Sequence, residues 1–258
     1  MYEFLLREDA PFEPELWAKI DAMVVEVIKS AIVGRRFVNM VGPLGWGTEV
    51  APLTRFAEDE GAWVAQDAVY QPLVEIAADA LIRGKHLAVA QASPYSVDLG
   101  AVALAATQVA REEDRLVLGG LLEAGKKNVI KLGDAAEFGA TYKAATAAVA
   151  QIANNGFDGP YTMVLNPSRF AQIAGLMHQG YQELKMVEQL MRGGIFQTNV
   201  MPADRILVVS AKSWAFDMVV GQDAVTAWLG NNGLDHQLRV FETVLLRVKL
   251  PGAIAVIN

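Results

Sequence analysis

With 258 residues, 53% of them hydrophobic and 20% charged, the chain holds enough apolar material for a sizeable core, which excludes a disordered polypeptide. A net charge of -7, with no basic run longer than Arg35-Arg36 or Lys126-Lys127, argues against a nucleic-acid-binding surface. Cysteine is absent, so disulfides and thiolate metal sites are excluded, and no window reaches the roughly 18 uninterrupted apolar residues of a spanning helix.

The apolar excess is therefore assigned to large subunit interfaces, which resemble a core cut in half. The opening Met1-Tyr2-Glu3-Phe4-Leu5-Leu6-Arg7-Glu8-Asp9 is too acidic and too briefly apolar for a secretory signal, and a cytoplasmic protein is expected. Residues 14–33 read as a helix: Pro14 suits the first position, and Leu16, Trp17, Ile20, Met23, Val24, Val27, Ile28 and Ala31 make one stripe. Gly34 is expected as a left-handed cap, with Arg35 and Arg36 near the negative helix end. Phe37 to Val41 reads as a short strand ended by Pro43.

From Leu44 to about Pro94 the pattern loosens. Segments 49–53 and 69–76 look like strands with Pro inside them, which places them at a sheet edge or in an extended arm that pairs with a neighbouring subunit. Asp98 caps a second helix through Leu99, Val102, Ala106, Val109, Glu113 and Leu116, with Gly119-Gly120 expected to end it. An alanine-rich helix over 141–153, a strand over 161–165 and helices over 167–178 and 182–192 follow. Strands are expected at 205–210, 216–220 and 224–229, with a turn at Asn231-Asn232-Gly233. The alternation from Leu238 to Leu250 is the clearest strand, long enough to be the spine of a sheet.

No residue pattern carries catalysis. His86, His178 and His236 lack metal-type spacing, so no metal is expected. Asp235-His236 stands without an activated Ser or Cys and reads as a surface turn. Gly42-Pro43-Leu44-Gly45-Trp46-Gly47 lacks the Lys-Ser/Thr ending of a phosphate loop, and Pro43 removes an amide. Glu112-Glu113-Asp114 reads by default as a solvated helix face or an intersubunit salt bridge.

Residues 34–47 together with 242–254 resemble an encapsulin shell protein, a relative of tailed-phage capsid proteins. Ala10-Pro11 with Leu16-Trp17, Glu112-Glu113-Asp114, Gly159-Pro160-Tyr161-Thr162, Arg192-Gly193-Gly194 and Gly221-Gln222-Asp223 extend the similarity along nearly the whole chain. The resemblance implies an α+β, tailed-phage-capsid-like fold. Its peripheral domain would take 1–43, 95–130 and 222–258, its extended loop 44–94 and its axial domain 131–221. It further implies a non-enzymatic, self-assembling icosahedral shell. The cargo would be a dye-decolorising peroxidase or a ferritin-like or hemerythrin-like protein, linked to iron storage and oxidative stress and held inside by a C-terminal targeting peptide. Some relatives stack a flavin on a Trp of the later extended loop; residues 80–86 here hold none, so no cofactor is expected.

If one flank of the first helix packs on the long strand, the other leaves Ile28, Ile32 and Phe37 lining a trough, with Trp228 and Leu234 contributing from the sheet. An extended peptide with alternate apolar side chains suits such a groove, and Asn39 would bond its backbone. The bland alternative makes the five apolar residues core and Asn39 a solvent-facing strand residue. By resemblance, His178, Gln179, Gly180, Tyr181, Gln182 and Glu183 form a five-fold pore segment, with His178 or Glu183 biasing which ions pass; the alternative is an ordinary surface connection. A protease or bacteriocin of the linocin type and a phage major capsid protein are the competing functions. The absent nucleophile–base constellation argues against the first, and entry into a helix by residue 14, without a scaffolding segment, against the second.

Overall fold

The computed structural model describes residues 3–92 and 96–258. Helix α1 (Pro14–Ala31) buries Trp17, Ile20, Val24 and Ile28 on one stripe, as its spacing predicts. Its end differs from expectation. Ile32 leaves the helix in an extended conformation, and Gly34 opens a short 3-10 turn in place of a left-handed cap. Arg36 instead donates to the Ile32 and Ser30 carbonyls, satisfying the open end of the helix. The strand that follows is only β1 (Met40–Val41).

The excursion expected over 44–94 divides in two. Strands β2 (Val50–Leu53), β3 (Phe56–Asp59), β4 (Ala62–Ala65) and β5 (Val69–Pro72) form a projecting arm of two short antiparallel ladders, β2 with β5 and β3 with β4. Strand β6 (Val74–Ile82) then rejoins the body, and helix α2 (Gly84–Ala92) follows. The border expected between 94 and 95 lies outside the described residues.

Helix α3 (Gly100–Ala124) starts where Asp98 accepts the Gly100 N–H at 2.9 Å. It runs through Gly119-Gly120 without a break, contrary to expectation. A Cβ on Gly120 would lie 2.5 Å from Leu246 Cδ2, so this glycine marks close helix–sheet packing and not a stop.

Past α3 come β7 (Val129–Ile130), α4 (Ala140–Asn154), β8 (Tyr161–Leu165), α5 (Pro167–Gly175), β9 (Met177–His178), β10 (Tyr181–Gln182), α6 (Glu183–Leu190) and β11 (Gly194–Gln197). The chain closes through β12 (Ile206–Ser210), β13 (Phe216–Val220), β14 (Val225–Asn232), β15 (Asp235–Val248) and β16 (Ile254–Ile257). β15 is the expected spine. It pairs antiparallel with β14 over 235–241, with β6 over 236–244 and with β13 over 244–248, and β1 joins β13 in parallel.

Leu238, Val240 and Val244 on β15 are sealed from solvent, within one continuous core that includes the buried stripes of α1 and α3. On the opposite face Leu5 and Ala227 cover Phe241, and Ala51 and Val219 cover Leu245. A second sheet runs β11-β8-β12-β16-β7. Its members β7 and β16 come from 95–130 and 222–258, so those two ranges do not belong wholly to the domain built on β15. The β16 register against β12, Ile206↔Ile257 to Val209↔Ile254, explains why: the turn at Pro251 redirects an apolar tail into a central position.

Candidate functional site: an arm, a recess and a hairpin tip

Beyond Ala51 and Leu53, which pack inward, the arm carries exposed apolar side chains. Trp63 is 70% exposed and Tyr70 67%, and Phe56, Val64 and Val69 are exposed beside them. Each arm ladder has only two strands, and no third strand joins either among the described residues; at the edge of β2, Arg247 Nη1 donates to the Pro52 carbonyl at 2.7 Å. Two-stranded ribbons are marginal in water, and open apolar edges invite pairing with another chain. Beneath the tip, Phe56 and Trp63 face Phe157, Trp214 and Pro251 across a cleft of about 690 Å³. Phe157 stacks on Trp214 at 5.0 Å.

The arm leaves the body at Gly42, whose φ of +126° and close approach to the Val220 carbonyl exclude a side chain. Leu44 N–H donates back to that carbonyl at 3.0 Å. Trp46 stacks on Phe4 at 4.1 Å and meets Phe241 edge-on at 6.0 Å, fixing the arm's root to the body.

The expected trough does not form as one surface. Ile28 and Ile32 are buried in the core, because the stripe they share with Val24 packs inward. Trp228, opposite Leu238, packs partly buried against the same core. Leu234 is 87% exposed at the β14–β15 hairpin tip, where its carbonyl crowds Gly84. Only Phe37 and Asn39 meet, in a recess of about 480 Å³ with Arg35, Arg36, Lys212 and Trp214. Phe37 is half-buried there, stacked on Phe196 at 6.1 Å, with Arg36 over the same ring at 5.9 Å. Asn39 is exposed, and its carbonyl accepts the Met218 N–H.

The pore candidates split as well. His178, Gln179, Gly180 and Tyr181 are exposed on the β9–β10 hairpin, whose turn residues Gln179 and Gly180 both have positive φ, the twist a two-residue hairpin favours. Gln182 is tied down through its side-chain amide, which donates to the Ala174 carbonyl at 2.6 Å. Glu183 is fully buried and accepts the Tyr142 N–H at 2.9 Å, so it caps the start of α4 and faces away from the tip.

The acidic run on α3 is not a solvated face. Glu113 and Asp114 are buried, and Glu112 alone of the three reaches solvent. Asp114 accepts the Val33 N–H at 3.0 Å and the Gly34 N–H at 2.7 Å, holding the turn after α1. Burial outweighs these bonds and pushes its carboxyl up to about 6. Glu113 instead meets Arg35, at 2.5 Å between Nη2 and Oε2. Sequence periodicity placed Glu113 on the apolar stripe of α3, and that was the available signal for its burial.

The histidines stay apart in their contacts. His236 is buried edge-on to Phe12, and His178 lies against Phe138. Asp235, read as part of a surface turn, accepts the Gly84 N–H at 3.1 Å. Among the described residues no cluster is placed to hold a metal, and no helix is long and apolar enough to cross a membrane.

A family model described as an encapsulating protein for peroxidase matches residues 2–245. The type 1 encapsulin shell protein EncA of Myxococcus xanthus is 31% identical over 279 aligned positions, covering 100% of this chain and 97% of that one. The virus-like particle from Pyrococcus furiosus superposes with a TM-score of 0.83 at 19% identity, over 95% of this chain and 100% of that one. The capsid structure of cyanophage P-SCSP1u superposes with a TM-score of 0.63 at 12% identity, over 88% of each chain. Two sheets, a projecting apolar arm and a continuous family match lead to one conclusion: the chain belongs to the encapsulin family of capsid-like shell proteins.

Proposed function

We propose that copies of this chain close into a hollow icosahedral shell around a cargo enzyme, the chain itself being a structural tile and not a catalyst. The observation that carries the reading is an arm whose aromatic side chains lie open in a single chain of an encapsulin family member. The adjoining copy covers those side chains and pairs the free ladder edges. In this reading the body built on β15 is the peripheral domain and the second sheet with α4 to α6 the axial domain. The β9–β10 tips of neighbouring copies then gather around a pore lined by His178, Gln179, Gly180 and Tyr181.

Cargo of the peroxidase or ferritin-like, iron-storing kind is held on the inner wall by a short C-terminal peptide, and the particle works in the cytoplasm. The recess of Phe37 and Asn39 supports such docking, offering an aromatic floor beside an exposed amide. Co-expression with a peroxidase carrying or lacking its C-terminal segment tests this. Co-sedimentation of only the intact peroxidase with the shell is expected; equal retention of both would refute docking through the peptide.

A further inference from the structure

Arg35 draws three carboxylates into one site at the junction of α1, α3 and β15. Its Nε and Nη2 reach both oxygens of Glu113, its Nη1 reaches Asp223 at 2.7 Å, and Nη2 also reaches Glu242 Oε2 at 2.7 Å. Glu113 and Glu242 are fully buried. The two differ in how they are satisfied: Glu113 uses both oxygens, whereas Glu242 Oε1 has no hydrogen-bond partner among the described residues. A carboxylate sealed from water needs donors on both oxygens, and two carboxylates sharing one guanidinium nitrogen repel each other unless a proton sits between them.

We propose that Glu242 is a neutral acid at neutral pH, and that its proton makes the α1–α3–β15 joint sensitive to pH. Its neighbours favour the neutral form. Arg35 and Arg36 from the turn after α1 face Glu113 and Asp114 on α3, Asp223 from the β13–β14 turn and Glu242 itself, so carboxylates outnumber cations. On β6 the residue opposite Glu242 is Ile76, which adds no charge. Burial first, then the charge of Glu113, holds the Glu242 carboxyl well above its ordinary range.

The folded chain thus grips a proton that the unfolded chain releases. Stability falls as pH rises above the ordinary carboxylate range, until Glu242 itself ionises. One such proton changes the unfolding equilibrium by at most about tenfold per pH unit. Asp114 contributes in the same sense only up to its own value of about 6, so above that pH the difference between the parent and Glu242→Gln is free of it.

The test uses the purified, assembled protein. Infrared spectra at about pH 7.5, far above an ordinary carboxyl pKa, are expected to show the C=O stretch of a neutral carboxylic acid. Glu242→Gln should abolish that band, and Glu113→Gln should move its loss to lower pH by removing the like charge. Because Gln has the shape of the protonated acid, Glu242→Gln should fold and assemble as the parent does. Its unfolding midpoint should exceed the parent's by a margin that widens with pH. A missing band, a band that survives Glu242→Gln, or a Glu242→Gln chain that fails to fold would each overturn the proposal.

Discussion

Replacing Trp63 by Ser tests the arm where its exposure is greatest. The side chain is 70% exposed in the single chain, and an aromatic side chain offers about 150–250 Å² for burial. About 140 Å² is therefore left to be covered, worth about 3.5 kcal/mol per copy at about 25 cal/mol per Å². Ordering costs on association make this an upper bound, equivalent to roughly 300-fold in a pairwise association constant. Far-ultraviolet circular dichroism should be unchanged, since little in the folded chain leans on this ring. Sedimentation velocity over a dilution series should show Trp63→Ser shells dissociating at protein concentrations where the parent stays closed, with Trp63→Phe in between. Identical dissociation of parent and Ser variant would refute the reasoning, because the ring would then lie open in the particle too.

Three further outcomes follow from the geometry. Asp114 binds its proton more tightly folded than unfolded, so its contribution to stability is lost as pH rises from about 4 to about 6, by at most about 3 kcal/mol. Asp114→Asn keeps the acceptor for Val33 and Gly34, and should flatten that stretch of the denaturation-midpoint profile. Asp114→Ala strands two buried N–H groups and should cost about 2–6 kcal/mol below about pH 4, a penalty that narrows as pH rises to about 6 in the same titration. Gly42→Ala forces a Cβ onto the Val220 carbonyl at a φ of +126°, and calorimetry should show a loss of at least about 2 kcal/mol. Gly45→Ala, with φ of +103° but open space around it, should lose less. Asn39→Arg, on an exposed recess residue, should lower the cargo recovered with purified shells by at least about threefold without shifting the melting temperature by more than about 1 °C, since surface changes are worth little.

Much of the fold was legible because periodicity is a direct consequence of which face is buried. The stripe of α1, the alternation of β15 and the Ala-rich α4 sit within a few residues of where spacing puts them. The shortfalls have a common source in long-range packing. Gly119-Gly120 looks like a helix stop until Leu246 is seen pressing on Gly120. Glu113 and Asp114 look solvated until Arg35 and the Val33 and Gly34 amides arrive from far along the chain. The strand β16 is too short to announce itself, and only the gap between β12 and β7 gives it a place. Pro52 and Pro72 did mark the arm locally, since a residue without an N–H belongs at a free edge. The trough was the weakest reading, because Ile28, Ile32 and Trp228 carry no local sign of whether they face the core or a peptide.

Electron cryo-microscopy of the purified protein at neutral pH bears most directly on the idea that the arm is completed by a neighbour. The account predicts closed particles in which Trp63 and Tyr70 lie beneath an adjoining copy and the outer edges of the arm ladders are hydrogen-bonded to it. Isolated chains, with the same two rings still facing solvent, would contradict it.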